Sequence, residues 1–200
     1  VMIAFSACSD PRIACQAPEC IFVKGELSDQ SIVALNDAGS ALGTVYVNSR
    51  GGKVGIAALA GKILLDQDVH LFIVEECSSA CAEYLMTAAK RVTTIGEPIV
   101  GLHGNSLFRE YLYQEQGYYR PAHCKGMFLS VLEDIYAKRN LRMDFALEQL
   151  GRLGPIDLEF YLDAHGCPLI TRYDTQGRMW YPTTDELEAL LGLHVEGRLC

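Results

Sequence analysis

The first hundred residues run in alternating blocks, and small or turn-forming residues end each apolar block. Residues 20–25 (Cys-Ile-Phe-Val-Lys-Gly) read as a short strand. Ser28 or Asp29 can cap a helix to about Leu42, with Ile32, Val33 and Leu35 on its apolar face. Residues 44–48 (Thr-Val-Tyr-Val-Asn) are β-branched and aromatic, which favours a strand, and Ser49-Arg50-Gly51-Gly52 ends it. A largely apolar helix follows through Val54, Ile56, Leu59, Ile63 and Leu64. Residues 69–74 are nearly all apolar, as in parallel strands buried on both faces. Strand, helix, strand, helix, strand, helix implies right-handed crossovers. The expected fold class is therefore α/β, a mostly parallel sheet flanked by helices.

Residues 80–90 continue as a helix, and 92–95 and 99–102 as short strands. The stretch 104–125 is polar and aromatic (Tyr111, Tyr113, Tyr118, Tyr119) with Gly117 and Pro121, which predicts a loop or lid-like excursion. Residues 126–140 and 143–153 are helical by period, and Pro155 can open a further helix to about Ala164. Met179-Trp180-Tyr181 reads as a short strand. Thr183 and Glu186 form a capping box that opens a helix to about Leu191. No repeat, linker or low-complexity segment appears, so residues 1–200 are expected to form one domain. Residues 1–19 would be an irregular N-terminal arm carrying Cys8 and Cys15, its first seven residues an ordinary strand or tail rather than the end of a signal segment.

Composition narrows the function classes. Half of the 200 residues are hydrophobic, which excludes a disordered chain and allows a sizeable core. A net charge of −8 argues against nucleic-acid binding, which normally needs a basic face. No run of eighteen apolar residues exists, so no membrane-spanning helix is expected.

Three places could carry chemistry. In Asn48-Ser49-Arg50-Gly51-Gly52, paired glycines after a strand allow a tight turn with outward N–H groups, which suits an oxyanion or phosphate. In Cys77-Ser78-Ser79-Ala80-Cys81, a serine at a helix start sits beside free N–H groups and the positive dipole end. In Gly101-Leu102-His103-Gly104, a strand-end histidine can reach into a cleft as the base that a serine nucleophile needs. Taken singly, the first reads as a plain tight turn, the second as a helix cap and the third as a structural histidine.

Taken in order, these motifs resemble the Clp-type serine peptidases and, more broadly, the Clp/crotonase fold, a spiral of ββα units. The match runs through residues 45–52, 77–85, Arg91 and His103. It is most similar to a branch of predicted exported Clp-like proteins with a Cys-x-Ser-Ala-Cys turn. It covers residues 20–104 well, and 180–193 loosely. The resemblance implies Ser79 as nucleophile, His103 as general base, and the Gly51 and Ala80 amides as the oxyanion hole. Arg50 stands where the peptidases usually have proline. For the acid that orients the histidine, Asp174 is the first candidate and Asp163 the second. Aligning Trp180 with the family's closing strand would instead put Gly177 or Arg178 at that position. A shifted acid, a Ser/His dyad and lost catalysis therefore all stay open.

The resulting expectation is a serine hydrolase, a peptidase more than an esterase, acting on a peptide or protein without metal or organic cofactor. The rival from another class is a non-catalytic binding protein on the same fold, with the tyrosines of 111–119 as its surface. Three lesser rivals are a zinc site drawn from Cys77, Cys81, His103, His123 and Cys124, a catalytic thiol at Cys77 or Cys81, and crotonase-type acyl-CoA chemistry. The family's rings use a helical handle after the histidine. Here the tyrosine-rich stretch replaces it, so a monomer or dimer fits as well as a ring. Eight cysteines are many for a reduced compartment. At least two disulfides and a periplasmic or secreted location are expected, and a bridge between Cys77 and Cys81 would shape the Ser79 turn.

Overall fold

The parallel sheet predicted from the apolar runs is the centre of the molecule. The computed structural model describes residues 17–199 apart from 155 and 176, and only the backbone of 146, 150 and 174. The N-terminal tail, most of the expected arm with Cys8 and Cys15, and Cys200 lie outside the described residues. Strands β1 (Cys20–Lys24), β2 (Thr44–Ser49), β3 (His70–Ser78), β4 (Arg91–Thr94) and β5 (Ile99–Gly101) all pair in parallel. Inward residues Val45, Val47, Leu71 and Ile73 have no exposed surface. Each such burial contributes about 1.5–3 kcal/mol.

Helices α1 (Asp29–Ala38) and α2 (Val54–Gln67) make the crossovers. The buried side of α2 is built from small residues, Ala57, Ala58, Ala60 and Gly61, with Leu64 and Leu65. Small residues let the next helical segment lie close. A Cβ on Gly61 would stand 2.9 Å from the Tyr84 carbonyl oxygen. That segment, Cys81–Met86, winds with π pitch directly after β3.

Strand β3 changes partner part-way along. Its first half pairs with β4, from His70 opposite Arg91 to Ile73 opposite Thr94. Its last residues pair with β5, with Ser78 opposite Gly101. Against β2 the register shifts between Val47 and Ser49, which come opposite Ile73 and Cys77. The bulge bends the end of β3 away from β4.

The second half departs from expectation in three places. The predicted excursion at 104–125 contains a helix, α3 (Ser106–Glu115), started by Asn105, whose side chain accepts the Phe108 N–H at 3.1 Å. Leu107, Phe108, Leu112 and Tyr113 are buried, an inner face that the abundant tyrosines hid. Tyr113 packs edge-on against Tyr118 and Phe160, while Tyr119 is exposed. Helices α4 (Met127–Arg139) and α5 (Phe145–Leu153) match their prediction. The helix expected from Pro155 to Ala164 is instead β6 (Asp157–Leu162), paired antiparallel with β7 (Pro168–Asp174). Leu158 is buried between exposed Asp157 and Glu159, an alternation of period two that a helix would not show. Of the expected strand at 179–181, only Trp180 pairs, antiparallel to Leu102. Finally, α6 (Thr184–Glu186) opens on the predicted capping box, continues with π pitch through Leu187–Leu191, and leads to β8 (Val195–Glu196) beside β4.

Two disulfides hold the described part, Cys77–Cys81 and Cys124–Cys167, and Cys20 is bonded as well. Among the described residues no helix is long and apolar enough to cross a membrane.

Candidate active site

Register brings the two principal side chains together. Strands β3 and β5 lie side by side and end level, Ser78 opposite Gly101. Ser79 follows one strand and His103 follows the other by two residues. The Ser79 N–H donates to the Gly101 carbonyl at 2.7 Å, which locks the two ends. Ser79 Oγ then stands 2.5 Å from His103 Nε2. For the serine hydroxyl to donate this bond, the neutral imidazole carries its proton on Nδ1.

The turn at Ser79 is sharp. Ser79 takes φ +56, a left-handed conformation that costs a non-glycine residue about 1–3 kcal/mol. A strained strand-to-helix turn of this kind exposes a serine hydroxyl at the edge of a sheet. The Cys77–Cys81 disulfide spans the turn, with Cα atoms 5.2 Å apart and neither cysteine exposed. The Glu83 N–H donates to the Ser79 carbonyl at 3.0 Å, which closes the first helical turn.

Gly51 lies against the turn. A Cβ there would stand 2.8 Å from Ser79 Cβ and 2.9 Å from the Ala80 nitrogen, at φ +98. Only glycine permits this approach. The two expected oxyanion donors are thus neighbours, but in different states. Ala80 opens the helical turn, where backbone N–H groups lack intrahelical acceptors. The Gly51 N–H donates to Ser49 Oγ at 3.1 Å. Arg50 turns outward and pairs with Glu76 at 3.1 Å.

Burial pushes the His103 imidazole below its ordinary 6.5, a hydrogen bond to its own backbone opposes this, and Arg109 lowers it further. No carboxylate bonds His103 among the described side chains. Asp174 ends β7, opposite Asp157, and its side chain lies outside the described part. Its neighbour Tyr173 reaches the site and donates to the His103 carbonyl at 3.3 Å. Asp163 is occupied elsewhere: its Oδ1 accepts the His165 and Cys167 N–H groups at 2.8 and 2.9 Å in the β6–β7 turn.

Sequence reasoning missed Glu83 as a functional side chain. Its carboxylate accepts the Gly104 N–H at 3.2 Å and Asn105 Nδ2 at 2.7 Å. One residue on the serine's helical turn thus holds the loop that follows the histidine. Complete burial raises Glu83 from 4.5 to about 7, against the lowering by Asn105 and Gly104. The available signal was a lone acid within the apolar run 80–89.

Around Ser79 and His103 lies a cavity of about 170 Å³. Val54, Ala80, Glu83, Tyr84, Ser106, Arg109 and Tyr173 also line it, with the loop residues Gly104 and Asn105. The rival chemistries lose their ligands: Cys77 and Cys81 are bonded to each other, so neither supplies a thiolate. His123, Cys124 and Cys167 cluster within 4.8 Å, but there too both sulfurs are joined.

No family model matches the sequence, and no curated protein does. Among solved structures, the catalytic domain of the ClpP protease from Plasmodium falciparum is similar in fold, with TM-score 0.50 and 12% sequence identity. The similarity covers 90% of this chain and 86% of that one. The chain therefore has a Clp-like α/β fold.

Proposed function

We propose that the protein is a serine hydrolase, more specifically a peptidase, working through Ser79 and His103. The observation that carries this is the 2.5 Å contact between Ser79 Oγ and His103 Nε2 at a left-handed strand-to-helix turn. Ser79 Oγ attacks the scissile carbonyl carbon as its proton passes to Nε2. The carbonyl oxygen becomes an oxyanion, held by the Ala80 N–H and by the Gly51 N–H once it leaves Ser49 Oγ. Collapse breaks the carbon–nitrogen bond, and Nε2 returns the proton to the leaving amine. Water, deprotonated by the same nitrogen, then attacks the acyl–serine ester; the acyl–Oγ bond breaks, Nε2 returns the proton to Ser79 Oγ, and the carboxylic acid product leaves.

A buried histidine with a lowered pKa is neutral, and therefore basic, at neutral pH. Two features support a weaker catalyst than a complete triad: no described carboxylate on His103, and a Gly51 amide already bonded. The site works as a dyad positioned by Glu83 and Tyr173, or with Asp174 as third member. The disulfides support an oxidising compartment, and periplasmic or secreted location belongs to this proposal.

A fluorophosphonate probe tests the function. Wild-type protein should be labelled at Ser79. Ser79→Ala should abolish labelling, and His103→Ala should slow it by at least about 10³-fold. Absence of Ser79-dependent labelling in folded protein would favour the binding-protein reading on the same fold.

A further inference from the structure

The wall of the serine cavity holds one feature that acyl transfer itself does not use. Arg109, on the first turn of α3, is partly buried and lines the cavity together with Ser79 and His103. Among the described residues no carboxylate pairs with it. Its guanidinium donates to Ser106 Oγ at 2.8 Å and stands 5.8 Å from the Tyr173 ring centre. A guanidinium has five N–H donors, so most remain for a ligand. The neighbouring acid Glu110 is already taken by Arg120, at 2.8 and 3.0 Å.

The other ionisable groups in the wall do not supply the missing negative charge. Glu83 is buried beneath the loop, with its oxygens given to Gly104 and Asn105. Burial raises Tyr84 and Tyr173 above their ordinary value, so both stay neutral, and His103 is lowered and neutral. In a chain of net charge −8, the serine's cavity is thus lined by a guanidinium that no carboxylate among the described residues holds in an ion pair. A cavity of about 170 Å³ holds roughly five waters at about 30 Å³ each, which is room for a short side chain.

We propose that Arg109 makes this cavity a carboxylate-binding subsite, so that the preferred substrate carries an aspartate or glutamate on the residue that donates the scissile carbonyl. The inference rests on the hydrolase reading above. A guanidinium binds a carboxylate through two parallel N–H···O bonds, and partial burial strengthens the pairing. An amide of the same shape leaves the charge unmet.

Matched peptidyl diphenyl phosphonates ending in Glu, Gln or Lys test it, alongside the general fluorophosphonate. The Glu probe should label Ser79 at least tenfold faster than the Gln probe, and the Lys probe slowest. In Arg109→Gln the Glu/Gln ratio should fall below twofold; the ratio is taken within one variant, so a change in the general reactivity of Ser79, read with the fluorophosphonate, cancels from it. Arg109→Glu should reverse the order of Glu and Lys probes. Fluorophosphonate labelling with no Glu preference, or a preference unchanged in Arg109→Gln, overturns the subsite and leaves the hydrolase standing. No labelling by any probe in folded protein overturns both.

Discussion

Gly51 and Glu83 show how single side chains hold the site. Replacing Gly51 with alanine puts a methyl group within 2.8 Å of Ser79 Cβ and of the Ser78 carbonyl, at a φ that alanine avoids. The strain and overpacking should cost roughly 3 kcal/mol and remove Ser79 labelling, readable by denaturant titration and probe together. Glu83 binds its proton more tightly in the folded state, at about 7 rather than 4.5. Its contribution is therefore complete below pH 4.5 and is lost as pH rises through 7. At about 1.4 kcal/mol per pKa unit that is ~3 kcal/mol. Glu83→Gln should lack this loss. Parallel wild-type and variant melting curves across the window would contradict the assignment. For His103 the sign is opposite in its functional effect. The neutral ring is the base, so kcat/KM should fall with an inflection below pH 6.5 as acid protonates it. An inflection above 6.5 would count against a desolvated base.

At the scale of elements, the two bridges should separate stability from function. Cys77–Cys81 closes a sequence separation of 4, and Cys124–Cys167 one of 43. Chain-entropy arguments then give about 2 kcal/mol for the first and about 4 for the second. Replacing Cys77 and Cys81 with alanine should slow probe labelling strongly with a small loss of Tm. Replacing Cys124 and Cys167 should do the reverse. The elements that sequence made legible are those with a strong period and a clear stop: β1 to β3, α2, α4 and the capped α6. Ser79, His103 and the glycine turn were legible because their motifs sit at strand ends. Glu83 and Arg109 were not, since a charge inside an apolar or aromatic helix declares its partner only after packing. The segment after Pro155 misled for a related reason. A proline suits a helix start, yet the alternation of Leu158 against exposed neighbours decides for β6.

At the scale of the whole molecule, the sheet order β1-β2-β3-β4-β8, with β5 on β3, is what no local pattern could specify. It depends on which strands share a long-range register. The cysteine count also becomes a measurable property. Of eight cysteines, five are bonded among the described residues, and the bridge at Cys20 takes a sixth sulfur, so denatured, unreduced protein should show no more than two titratable thiols. Three or more would show that the bridges do not all form in the isolated protein.

The level ends of β3 and β5 carry one more consequence, for how the chain tolerates change in length. The serine–histidine distance is fixed across the sheet, not along the intervening chain. Residues 95–98 can therefore gain or lose a residue in a turn while the pair stays in place. An insertion between Gly101 and His103 would instead move the imidazole by about 3.3 Å and turn it to the other face. Chains sharing this chemistry should keep the spacing within 77–81 and 101–103 and vary freely between them.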